Sequence, residues 1–347
     1  MKRVLSTLAL AATLACGAAL GATDAESPQG LLRGKLPDNA AALNRVAISS
    51  FFVQVVTDFG VEMKRSSNTF YSKVHNLSAE QLLPLADGLY TLLTQELAAA
   101  GIEVVAADRV AALAAMADLH KAGRQSPSVI NDSTLKKIST LVAAKGLPIV
   151  LFQVQDQRVP KYFTDVPEGT YSNQLVNWEQ QSREWLMAGN LETFGMVGIL
   201  TAQQKLADEL QATVLTVRLT VPLVDMGIER KIGFSGGDAG KVRPNPRLVE
   251  AGTVFSFAQA GGNPGHMAQQ VLALQKPLPI QDVKFEVEAG APRDGGGLIG
   301  ALFGAARANT DKADFMVKVD AAQLQAGALA AATTLFKELA QTLAAAK

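Results

Sequence analysis

The sequence predicts a mixed α/β (α+β) fold, with a largely antiparallel sheet and helices packed mainly on one face. Three observations lead there. Long β-branched and aromatic runs at 46–57 and 211–224 read as strands. Leucines at helical spacing follow Ser78, and an alanine-rich apolar run closes the chain from Ala321 to Ala345. The elements come in the order β-α-β-α-α-β, then an insertion, then several strands and one helix, and the long adjacent strands near the end favour antiparallel pairing.

The first 22 residues have the form of an export signal. Lys2 and Arg3 give a positive start, Val4 to Ala15 is an apolar run too short to span a bilayer with ease, and small residues around Ala19, Gly21 and Ala22 suit cleavage. A second reading makes Cys16 a lipidation site, since Leu14-Ala15-Cys16-Gly17 is similar to a lipobox, although Thr13 stands where leucine is usual. The expected location is the periplasm or outer membrane. Cutting the first 22 of 347 residues leaves 325, enough for a large core, with 30 basic against 32 acidic residues once Lys2 and Arg3 are gone. That balance offers no basic surplus for nucleic acid. Cys16 is the chain's only cysteine, so cleavage at 21 or 22 would remove its only thiol.

Residues 23–43, broken by Pro28, Gly30, Gly34 and Pro37, read as a polar tether. The first half of the core spans 44–154. After the strand at Val46–Thr57 comes a polar stretch to His75. Ser78 and Gln81 then form a capping box with Leu77 and Leu82 as its staple. Leu85, Leu89, Leu92, Leu93 and Leu97 continue a helix that Gly101 ends and Pro84 should kink or delay. A short strand is expected at Ile102–Ala106, a helix at Val110–His120 capped by Asp108, a loop at Gly123–Asn131, a third helix at Ser133–Lys145, and a buried central strand at Ile149–Val154. Residues 155–207 are an insertion with a helix near Gln174–Met187. The second half, 208–347, holds strands at Gln211–Val224, Thr253–Ala258, Asp282–Glu288 and Phe315–Val319, and the closing helix capped by Asp320.

Three runs, LADGLYTLLTQELAAAGIEVVAADRVAAL, LVAAKGLPIVLFQV and ATVLTVRLTVPLVDMG, resemble the core of the CsgG-like envelope proteins. That group includes the curli secretion channel, the peptidoglycan-synthase activator lipoproteins and, more distantly, the TolB N-terminal domain. Val104, Val105, Asp108 and Arg109 match its first turn. Gly146 matches its second, with Leu147 and Pro148 replacing Ala-Asp, and Val224, Asp225 and Gly227 match its third loosely. The resemblance implies a CsgG-like core with insertions and a role in envelope assembly or secretion.

Candidate sites are few. Gly233 to Gly237 satisfies G-x-S-x-G around Ser235, but charged Glu229, Arg230 and Lys231 precede it where a nucleophile elbow needs an apolar strand. His75, His120 and His266 stand apart in sequence with no metal-ligand spacing, and no glycine-rich loop opens a helix after a strand, so neither metal nor cofactor is expected. Trp178 and Trp185, seven apart, make either a core stripe or a partner surface. The most unusual segment is 295–306. There Gly296, Gly300 and Gly304 form a glycine zipper beside Leu298, Ile299, Leu302 and Phe303, which suits close contact with a membrane or another subunit; a flexible glycine-rich loop with a buried apolar tip is the plainer reading. The expected partners are envelope proteins or a second copy of the chain, with peripheral membrane contact. The alternatives are a periplasmic small-molecule or glycan binding protein that uses the 155–207 insertion, and a hydrolase at Ser235.

Overall fold

A computed structural model describes residues 23–37, 39–62, 69–132, 137–150, 193–230, 238–262, 270–290 and 313–346. Among them are five α-helices and a twelve-stranded mixed sheet, so the fold is mixed α/β as the sequence predicts. Eight of the described pairings within this sheet are antiparallel and three parallel.

The sheet is organised around β3 (Arg45–Glu62), five residues longer at its C-terminal end than expected because Asp58 to Glu62 pair with β4 (Thr69–Val74). On one edge β3 runs parallel to β8 (Thr213–Pro222) from Val46 to Val56 and then meets β4. Its other edge takes β5 (Glu103–Val104) and then β7 (Lys137–Ala143), which pairs outward with β6 (Ser128–Asp132). Beyond β8 come β12 (Val254–Ala258), β13 (Val271–Leu274), β2 (Leu32–Leu36) and β1 (Thr23–Glu26); beyond β4 come β16 (Phe315–Val319) and β15 (Phe285–Ala289). A separate hairpin joins β9 (Val224–Arg230) to β10 (Asp238–Pro244), and β11 (Arg247–Leu248) pairs with β14 (Leu278–Pro279).

The two longest helices, α1 (Ala79–Ala99) and α5 (Ala321–Ala345), run side by side on one face. Gln325 Nε2 donates to the Pro84 carbonyl at 3.3 Å, and one turn on Leu329 sits against Gly88. Leu85, Leu89, Leu93 and Leu97 of α1 are buried, and with Leu335, Phe336 and Leu339 of α5 they close the core over Phe51. The capping box forms: Ser78 N donates to Gln81 Oε1 at 2.8 Å and Gln81 N to Ser78 Oγ at 3.3 Å. Ser78→Ala is therefore expected to lower stability by about 1 kcal/mol, read as a shift of the urea midpoint at unchanged slope. Pro84 neither delays nor ends α1, which is continuous through it. Asp320 caps α5 as expected, accepting from Gln323 N at 3.0 Å.

The opposite face carries a polar row inside apolar strands. Gln54 Nε2 donates to Ser139 Oγ at 2.9 Å, Thr220 Oγ1 lies 3.1 Å from Gln54 Oε1, and Ser50 Oγ donates to the Pro148 carbonyl at 2.7 Å. Helix α4 (Thr193–Leu210) covers part of this face. Its Gln203 Nε2 donates at 2.7 Å to Thr216, which is one step out of phase with the Leu215 and Val217 row and so points the other way. Helix α3 (Ala114–Ala122) packs along α4.

Several elements differ from expectation. Residues 23–43 contain β1, β2 and a 3-10 helix (Ala40–Asn44) where a tether was expected. Ser133–Lys145 was expected to be helical, yet its described part is β7. Leu141 and Val142 are both fully buried, so the run shows no one-sided period, and the β-branched Ile138, Thr140 and Val142 suit a strand. Gly146 (φ +72°) lies in the turn that follows that strand, where it was expected to end a helix. The single helix at Val110–His120 is two, α2 (Ala107–Ala111) and α3, broken at extended Leu113. Val110 is buried in α2, and Ala115, Met116 and Leu119 in α3, so each short helix turns its own apolar side to the core. Ala106, not Asp108, precedes α2, and the Asp108 carboxylate accepts instead from Arg109 N at 2.8 Å. Ser128–Asp132 is a strand where a loop was expected. Ile149 is buried but bridges Arg124, and residues 151–154 lie outside the described residues.

Candidate functional site

Three ladders open toward one end of the sheet. Phe59 of β3 is in register with both Ser72 of β4 and Lys137 of β7, and Ser72 is in register with Phe315 of β16, which faces Ala289 of β15. These residues form one transverse row. Two ladders end in this row, at Asp132–Lys137 and Ala289–Phe315, and the third ends three residues further along β3, at Glu62–Thr69. The chain thus leaves β15 and returns to β16 beside the β3–β4 and β6–β7 connections.

That exit is tightly built. Gly290 N donates to the Asp314 carbonyl at 2.9 Å, and a side chain at Gly290 would run into the Ala313 carbonyl. Asp314 Oδ2 accepts from Tyr71 N at 2.8 Å, tying the return strand to β4. On the exposed side Lys318 Nζ meets Glu288 at 2.8 Å and Glu286 at 3.7 Å. The Lys318 hydrogen bond, above its charge, holds the Glu288 carboxyl below its ordinary range, and the same contact raises Lys318. His75 adds a small effect of the same sign on Glu288, and its backbone N–H donates to the Val317 carbonyl.

Most of the sequence-derived candidates lie outside the described residues: Gly296, Leu298, Ile299, Gly300, Leu302, Phe303 and Gly304 of the zipper, Trp178, Trp185, Cys16, Ser235 and His266. The last part of the 155–207 insertion is described, and there α4 is built into the core: Ile199, Ala202 and Leu206 are buried. His120 is exposed in the last turn of α3. Among the described residues no group of three or more His, Cys, Asp or Glu is placed to hold a metal ion, and no helix is long and apolar enough to cross a membrane.

The residues of the CsgG-like resemblance have structural work. Val105 is buried and its N–H donates to the Val46 carbonyl at 2.8 Å. Asp225 accepts from Asn245 Nδ2 at 2.6 Å and meets Arg247 at 2.9 Å and Arg243 at 3.4 Å, which fixes the root of the β9–β10 hairpin. An open groove of about 470 Å³ lies between α1 and α5, lined by Asp87, Gly88, Thr91, Lys145, Leu329 and Thr333. Several of its polar groups are bonded to the backbone. Thr91 and Thr333 donate to carbonyls of their own helices, and Asp87 Oδ1 accepts from Lys145 N at 2.7 Å.

Sequence reading missed the buried polar row on the second face of β3 and β8. The signal was present, as Ser50 and Gln54, and Thr216 and Thr220, recur at even spacing inside apolar runs. Comparison of the chain with protein-family models, curated proteins and solved structures finds no match.

Proposed function

We propose that this is an exported, non-enzymatic cell-envelope protein on a CsgG-like scaffold, acting in assembly, secretion or surface interaction as an oligomer that touches a membrane. The observation that supports it most is the convergence of three strand connections at one end of the sheet. One of them, between Gly290 and Ala313, contains the whole glycine-zipper sequence with Leu298, Ile299, Leu302 and Phe303. Glycines four apart permit close backbone approach, and about a dozen residues are too few to span a bilayer alone, so the segment fits subunit or interfacial contact.

Size-exclusion with light scattering and liposome flotation test this on the exported protein and on Gly300→Leu at matched circular dichroism. The wild type is expected to self-associate or float, and Gly300→Leu to weaken that property with its fold intact. A wild type that neither associates nor floats, or a variant indistinguishable from it, overturns the reading. Intact mass of the native protein, expected to begin near Ala22 or Thr23 or to carry acylated Cys16, tests export.

A further inference from the structure

The sheet ends on β15, and that edge is free among the described residues. Which backbone groups it offers follows from the ladder. Asp320 N donates to the Lys284 carbonyl at 3.1 Å and Gly290 N to the Asp314 carbonyl at 2.9 Å, so Lys284 and Gly290 are bonded inward to the β16 side. Alternation makes Glu286 and Glu288 inward as well. The N–H and C=O groups of Val283, Phe285, Val287 and Ala289 therefore point outward. Val287 is also one of two large hydrophobic side chains strongly exposed among the described residues, at 40%.

We propose that this edge pairs antiparallel with the same edge of a second copy of the chain, about a two-fold axis at Phe285. Charge selects the register. Centred on Glu286, the pairing sets that carboxylate against itself between two Lys284–Glu288 pairs; centred on Val287, it sets Glu286 against Glu288 twice. Only the Phe285 register gives opposite-charge pairs with no like-charge contact on the axis. Centred on Phe285, it sets Lys284 of each copy against Glu286 of the other, in the close non-hydrogen-bonded positions where cross-strand pairs interact best. Both side chains are exposed. Lys284 has no acidic partner among the described residues, while Lys318 alone serves both Glu286 and Glu288. Asp282, at φ +58°, has turned out of the strand and does not face Glu288 of the other copy.

The other face of the same pairing joins Phe285 to Phe285 and Val283 to Val287, which covers the exposed valine. A head-to-tail alternative, β15 on the β1 edge of the next copy, is disfavoured because Asp24 and Glu26 of β1 would meet Glu286 and Glu288. A contact of about seven residues a side is small beside a standard interface, so the dimer should be weak and concentration-dependent.

This inference deepens the oligomeric part of the proposed function at a different surface, and the variants separate the two. Sedimentation velocity over a concentration series, on the mature full-length protein, is the test. Lys284→Glu and Glu286→Lys each turn two opposite-charge pairs into like-charge pairs, and each should weaken the dimer about tenfold or more. An equal mixture of the two should restore it, since both pairs are then complementary in the heterodimer. Val287→Pro removes an outward N–H and leaves the β16 ladder intact, and it should abolish dimerisation at unchanged circular dichroism. Gly300→Leu should leave this contact alone. Run in the Gly300→Leu background, which removes the zipper contact, a parent monomeric throughout, charge variants that dimerise as it does, a mixture that stays monomeric, or association that survives Val287→Pro each overturns the pairing.

Discussion

Phe336→Ala should lose about 3–5 kcal/mol of stability, the range for emptying a buried aromatic site. Phe336 is fully buried, and its ring lies edge-on to two others, 6.3 Å from Phe51 at 65° and 6.3 Å from Phe255 at 80°. Phe51 in turn meets Tyr90 of α1 at 5.8 Å. The ring thus ties α5 to β3 and β12, on either side of β8, and to α1 through Phe51. Such contacts add about 0.5–1.5 kcal/mol per pair beyond burial. Collapse cannot refill the space cheaply, because Phe51 and Phe255 are held by strands paired on both edges. Urea unfolding by far-ultraviolet dichroism is the measurement. Phe336→Leu, which restores most of the volume, should recover a large part of the loss, whereas a change below about 1 kcal/mol in the alanine variant would show that the cluster relaxes.

What the sequence made legible follows from how local each signal is. Helices α1 and α5 were placed with their caps because the cap residue and the one-sided leucine or alanine period occur together over six or seven turns. Strands β8, β12 and β16 were found because β-branched runs end in turn residues. The misses share one cause: partnership distant in sequence. Strand β7 is buried on both faces, so its period vanished and Leu141 beside Val142 looked helical. Strand β4 carries Lys73 and Tyr71 among apolar residues and is a strand through its pairing with β3 and β16. Alternation of Val283, Phe285 and Val287 against Lys284, Glu286 and Glu288 marks β15 as a strand, but it does not show that the strand is an edge with Val287 left exposed. The convergence of connections that supports the proposed function was not legible either, since it depends on β16, near the other end of the chain, pairing parallel with β4.

Gly34→Val should release the first two strands from the sheet while leaving its centre folded. Gly34 has φ +155°, and a side chain there would run into the Val271 carbonyl, with Leu272 Cα 3.2 Å away. The obstacle is backbone already committed, since Leu272 pairs with Gly34 on one side and Phe255 on the other. Moving β13 would cost the β12 ladder, so β2 is the partner that must leave. Its departure exposes Leu32 and Leu36, each now buried, at about 1.5–3 kcal/mol apiece. It also strains the bond from Gln29 N to Glu338 on α5, 3.0 Å long. Hydrogen exchange should show protection lost at 32–36 and reduced at 271–274, with β3 and β8 amides unchanged, because those strands still pair with each other and with β7 and β12. Uniform loss across the sheet would mean that the edge is not separable from the core. Local loss would convert 23–43 into the free tether that its Pro28, Gly30, Gly34 and Pro37 suggest, and would show that a single absent side chain at Gly34 makes the difference.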